Sequence, residues 1–173
     1  MALLEIRTYP DPVLREECAP VTDFGDALKK LAEDMAETMY ANEGIGLAAP
    51  QVGVAHSFLV VDPASPEDRG REVLALANPI ITESDGTVEF EEGCLSLPEL
   101  TVPTTRKARV KVAAQDLDGN GIEVTAEGLL AIVLQHEIDH LHGRLLVDYV
   151  SPLRRTSVIR KLKKLKELEG QEG

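Results

Sequence analysis

Gln135-His136-Glu137-Ile138-Asp139-His140-Leu141-His142-Gly143 places two histidines four positions apart, with a glutamate directly after the first. On an α-helix, positions i and i+4 lie one turn apart on the same face. Both imidazoles then reach one metal ion, and Glu137 projects close enough to handle a proton on water activated by that ion. The residues before this stretch decide how the chain folds around it. Leu129, Leu130, Ile132, Val133, Leu134, Ile138 and Leu141 leave almost no polar face, and a helix that is apolar all round is a buried helix. The spacing predicts a helix starting around 125–127 and stopping at Gly143. A pair of hydrogen-bonded core histidines is the bland alternative. In an apolar interior, however, an imidazole needs a partner, and a ligand role supplies one.

Outward from that helix, the chain reads as antiparallel strands with two further helices. Leu28, Leu31, Met35 and Met39 recur at helical spacing over 26–42, the methionines as core filler. Short β-like runs cover 57–62, 73–78, 87–91 and 109–116. A last run, 121–124, follows across Asp118-Gly119-Asn120-Gly121, a hairpin signature. Residues 63–72 read as a surface loop. Leu153, Ile159, Leu162, Leu165 and Leu168 give a final amphipathic helix over 152–169. The expected architecture is α+β: antiparallel strands packed around a central buried metal-binding helix, with a C-terminal helix. Residues 1–150 form the catalytic metal-hydrolase domain, and 151–173 a basic amphipathic helix of the same domain.

Composition narrows the function classes. The 173 residues are 43% hydrophobic and 28% charged, as in a globular domain, but only 3% aromatic, so Leu, Ile, Val and Ala must build the core. The net charge of −12 argues against sequence-specific nucleic-acid binding over most of the surface. That charge is uneven: residues 1–150 hold 11 Lys+Arg against 27 Asp+Glu, whereas residues 151–173 hold 7 against 3. Two cysteines make no disulfide framework, and neither a signal-like stretch nor a membrane-length apolar run occurs, so the expected setting is the cytoplasm.

Two histidines leave a zinc-like ion short of a third protein ligand, which His, Glu, Asp or Cys could supply. His142 points to a different side of the helix from His140 and reads as solvent-facing or as a helix C-terminal cation. His56 reads as surface. Cys94, in Glu91-Glu92-Gly93-Cys94-Leu95-Ser96-Leu97-Pro98, is better placed, because Gly93 permits close approach and Pro98 ends the segment. Cys18 reads as an inert buried thiol. The glycine-punctuated stretch Gly44-Ile45-Gly46-Leu47-Ala48-Ala49-Pro50-Gln51-Val52-Gly53 lacks the pattern of a phosphate loop. Its small residues let backbone approach a site, and Gln51 offers an amide to an oxyanion.

Taken in order, 44–51, 92–96 and 135–140 resemble the three motifs of peptide deformylases, and the resemblance extends from Tyr9-Pro10-Asp11-Pro12 to Ser151-Pro152-Leu153. It implies an amide hydrolase that removes the N-formyl group from the N-terminal methionine of newly made proteins, releasing formate. By the same resemblance Cys94, His136 and His140 hold one divalent metal: Fe(II) natively, with zinc, nickel or cobalt accepted by the same ligands. Glu137 is then the acid/base, and Gln51 and the Leu95 N–H bind the developing oxyanion. Gly46 contacts substrate through its backbone, while Ile45, Leu95, Val133 and His136 outline the methionine pocket. The implied partners are formyl-Met nascent peptides, without a membrane, and the ribosome as a docking partner of the basic C-terminal helix. Some relatives carry a basic residue where this chain has Leu100-Thr101-Val102. Arg106 is a candidate partner for Glu92 or Asp139, with surface solvation the alternative. Two other functions share the metal-binding helix: a zincin-type peptidase, and a catalytically silent binder of formylated N-termini. Intact Glu137 and Gln51 argue against the silent form.

Overall fold

A computed structural model describes residues 2–64 and 73–172, with side chains through Glu169. The fold is α+β. Among the described residues, seven strands, β1 (Gly46–Ala48), β2 (Phe58–Val61), β3 (Leu74–Asp85), β4 (Val88–Cys94), β5 (Leu97–Arg106), β6 (Arg109–Gln115) and β7 (Gly121–Glu127), accompany three α-helices. These are α1 (Asp26–Ala41), α2 (Gly128–Leu141) and α3 (Pro152–Glu172). An antiparallel sheet in the order β1-β2-β3-β6-β7 forms one layer, and β4-β5 stands apart as a hairpin.

Strand β2 shows why the large sheet lies between helices. All four of its residues are buried, as a continuous apolar run requires when both faces of a strand are covered. Alternation then sends Phe58 and Val60 to Met35 and Met39 of α1, and Leu59 and Val61 to Leu134 and Ile138 of α2. A third cluster joins Leu97 and Val102 of β5 to Val158 and Leu162 of α3, with Leu145, Leu146 and Val147 between them. The hairpin therefore closes over the far end of α2 and is held there by the C-terminal segment.

Helix α2 ends where glycine permits it. Gly143 has φ +72°, and its N–H and that of Arg144 return to the carbonyls of His140 and Asp139. A Cβ there would stand 2.5 Å from the Arg15 carbonyl, so a larger residue is excluded twice over. The expected helices agree with those observed to within three residues at each end.

The strands differ more. Strand β3 runs to Asp85 rather than stopping near Asn78, and β5 is a strand that the pattern of residues did not announce. Pro98 does not end its segment; it lies near the start of β5. A two-stranded hairpin tolerates proline because its outer edge makes no ladder. Residues 65–72 of the expected surface loop lie outside the described residues.

Candidate active site

Three elements converge on one cavity of about 560 Å³: the glycine-rich segment at β1, the turn between β4 and β5, and helix α2. Ile45, Gly46, Gln51, Cys94, Leu95, Val133, His136 and Glu137, the residues singled out above, all line it except His140, which lies just behind. His140 is 1% exposed.

On α2, the i, i+4 spacing brings the Nε2 atoms of His136 and His140 to 3.2 Å, with the ring planes 66° apart. Cys94 Sγ lies 3.4 Å from His140 Nε2. His136 Nδ1 is 2.8 Å from Glu92 Oε1. A carboxylate only accepts, so Nδ1 carries the hydrogen and Nε2 turns its lone pair toward Cys94 and His140. Electron-pair donors facing one another this closely repel unless a cation or proton sits among them. A tetrahedral ion with two nitrogen ligands and one sulfur separates its ligand atoms by roughly 3.3–3.6 Å. The donor set fits a borderline transition metal such as zinc or iron, and does not fit the oxygen-seeking Mg²⁺ or Ca²⁺.

Glu137 is 2% exposed, and its Oε1 has no hydrogen-bond partner. It stands 3.9 Å and 4.0 Å from the Nε2 atoms of His136 and His140. Burial pushes its carboxyl up to about 7, near the value a group needs to both take and give a proton at neutral pH. Strand β1 can run past this carboxylate only because position 46 is glycine. A Cβ there would meet Glu137 Oε2 and Val133 Cγ1, each at 2.8 Å.

Gln51 is buried in the 3₁₀ turn Ala49–Val52 and fixed at both ends of its amide. Its Oε1 accepts from the Ala48 N–H at 3.0 Å, and its Nε2 donates to Ser96 Oγ at 3.1 Å and lies 3.5 Å from Cys94 Sγ. The amide orientation is therefore settled by its partners, with the NH₂ end toward the sulfur.

Beneath the ligands lies a charged network. Arg106 is 5% exposed, not solvated at the surface: Nε and Nη2 grip both oxygens of Glu92 at 2.6 and 2.9 Å, and Nη1 reaches Asp139 at 2.7 Å. Thr104 Oγ1 also donates to Glu92. Burial opposes ionisation of Glu92, but hydrogen bonds from His136, Arg106 and Thr104 hold it at about 2, so it remains an acceptor. Ser96, Thr104 and Tyr149 were not legible as site residues. Ser96 and Tyr149 lie inside recognised segments, but nothing in their spacing tells which polar atom they meet. The excluded histidines stay apart: His56 is exposed, and exposed His142 pairs with Glu17 at 2.7 Å. Buried Cys18 sits away from the site, and burial raises its thiol to about 11.

With that geometry in hand, known proteins give a consistent picture. Residues 3–156 match the family model described as polypeptide deformylase. A peptide deformylase of Desulfotalea psychrophila is 50% identical over 164 residues, covering 95% of this chain and 97% of the relative. One from Thermodesulfovibrio yellowstonii is 50% identical over 163 residues, covering 94% and 98%. Among solved structures, a peptide deformylase from Legionella pneumophila superposes with a TM-score of 0.89 at 45% identity, covering 97% of this chain and 98% of that one.

Proposed function

The chain belongs to the polypeptide deformylase family, and on that premise we propose how its own residues take the N-formyl group from the N-terminal methionine of newly made proteins. The enzyme is a metal-dependent amide hydrolase, and formate and a free amine are its products. Cys94, His136 and His140 hold the ion. When bound, the ion would act as a Lewis acid, polarising the formyl carbonyl and easing loss of a proton from the attacking water. Glu137 takes the proton from the attacking water and later delivers it to the departing amine nitrogen. The Gln51 amide and the Leu95 N–H donate to the oxygen on which negative charge grows. Gly46 meets the peptide through its backbone, and Ile45, Leu95, Val133 and His136 enclose the methionine side chain.

The single observation that carries this reading is the buried carboxylate of Glu137, its Oε1 without a hydrogen-bond partner, beside three convergent ligand atoms at one cavity. Formate release from a formyl-Met peptide, measured beside an internally cleavable blocked peptide, tests it. Formate from the first and no cleavage of the second are expected; the reverse would make the chain a peptidase. Glu137→Ala is expected to retain its metal and to lose most of its turnover. Metal loss with activity kept would refute the proton-carrying role.

Fe(II) is the native ion on this reading, with zinc, nickel and cobalt able to replace it, because a thiolate with two imidazoles accepts all four. Metal analysis after anaerobic purification decides among them, and iron predicts activity that decays in air. Among the described residues no helix is long and apolar enough to cross a membrane. A cytoplasmic setting, next to ribosomes that supply the substrate, is the one that suits the reaction.

A further inference from the structure

A single phenol joins the candidate metal ligands to the start of the C-terminal helix. Tyr149 is the last residue of the 3₁₀ turn Leu146–Tyr149, just before α3. Its hydroxyl donates to Asp139 Oδ2 at 2.7 Å and accepts from Arg106 Nη1 at 3.2 Å. The same Nη1 donates to the same Asp139 oxygen at 2.7 Å, and the guanidinium carbon lies 4.8 Å from the centroid of the tyrosine ring. One arm of Arg106 is thus held between a ring, a hydroxyl and a carboxylate. Its opposite edge, Nε with Nη2, grips both oxygens of Glu92.

A guanidinium is planar and rigid, so fixing Nη1 fixes where the Nε–Nη2 edge points. That edge sets the plane of the Glu92 carboxylate, whose Oε1 receives the Nδ1–H of His136. Groups that hold the far nitrogen of a ligating imidazole set both its tautomer and its aim. We propose that Tyr149 is a positioning residue for His136, acting through Arg106 and Glu92, and that this relay ties the aim of the metal ligand to the packing of the segment that leads into α3. The proposal rests on the reading above that His136 holds the ion. Tyr149 itself does not line the cavity, so it touches neither substrate nor reacting atoms.

Tyr149→Phe keeps the ring under the guanidinium and removes only the hydroxyl. Arg106→Lys removes the two-pronged grip on Glu92, and Asp139→Asn weakens the clamp without changing its shape. The measurement is loss of zinc or cobalt from the loaded full-length protein to a competing chelator, set beside the melting temperature of the metal-free protein. Direct supports of ligating histidines, such as Glu92 here, commonly change metal affinity about 10–100-fold when altered; Arg106→Lys, acting through Glu92, is expected near the lower end, about tenfold. One bond further out, Tyr149→Phe is expected to release the ion about 3–10-fold faster, with kcat lowered, KM unchanged and the metal-free melting temperature unchanged. Wild-type metal retention in Tyr149→Phe and Asp139→Asn would overturn the relay. So would a loss of retention that merely tracks a lower metal-free melting temperature. Metal retention is read without turnover, so a wild-type chain that binds the ion yet releases no formate would defeat the functional reading and leave the relay standing.

Discussion

At the scale of single residues, the site depends on close approach and on burial without partners. Gly46 is the clearest instance of close approach, because β1 and α2 leave no room for even a methyl group between them. Gly46→Ala must push β1 away from Glu137 and Val133. Overpacking of this kind destabilises by about 1–3 kcal/mol, and the displaced strand also carries the backbone assigned to the peptide. A fall in kcat/KM of at least about tenfold is expected, since misplacement by an ångström commonly has larger effects than that. Activity equal to wild type in Gly46→Ala would show that β1 does not guide substrate. The two cysteines make a second test. Burial raises the Cys18 thiol to about 11, so it stays protonated and shielded at pH 8, whereas Cys94 is only partly buried and lines the cavity. Alkylation of the native metal-free protein at pH 8, followed by peptide mapping, is expected to modify Cys94 and spare Cys18.

At the scale of elements, the turns that seat the site are held from both ends of the chain. Arg15, in the 3₁₀ turn Pro12–Arg15, makes a two-pronged bridge to Asp148 at 2.6 and 3.0 Å and also reaches the Gly143 carbonyl. Asp148 Oδ2 accepts the Leu145 N–H at 2.9 Å and so caps the turn that carries Tyr149. Burial opposes ionisation of Asp148, but Arg15 and the Leu145 N–H hold its carboxyl below the ordinary aspartate value. The sign follows from linkage: a carboxylate depressed in the folded state stabilises above its unfolded pKa and loses that contribution as pH falls toward the folded one. Both side chains are more than a third exposed, so screening limits the bridge, and with the cap the pair contributes about 1 kcal/mol. Asp148→Asn is expected to lower the melting temperature at pH 7, with the gap to wild type closing below about pH 4. A gap as wide at pH 3 as at pH 7 would assign the effect to shape rather than charge.

At the scale of the whole molecule, charge is divided between body and tail. Helix α3 seats Val158 and Leu162 against the hairpin and leaves Arg160, Lys161, Lys163 and Lys164 exposed. Truncating the helix would therefore strip a core cluster as well as a basic face. Charge reversal of Lys161, Lys163 and Lys164 separates the two. Ribosome co-sedimentation that weakens in this variant, and that falls with salt in wild type, is the expected outcome of docking through α3. Unchanged sedimentation would remove that role. The same scale shows what the residues could announce alone. A five-residue helical pattern, an apolar surround and a glycine after Leu141-His142 determined a buried helix with two histidines one turn apart and a glutamate beside them, because local periodicity and stereochemistry suffice for that. Strand β5, with Pro98 and Pro103 inside it, stayed hidden, since its pairing with β4 is set by partners rather than by its own pattern. The burial of Arg106, its joint grip on Glu92 and Asp139, the hold of Ser96 on Gln51 and the place of Tyr149 were decided by tertiary structure alone. Each depends on hydrogen bonds between different elements of the fold, and such a bond exists only once folding has fixed both of its ends in space.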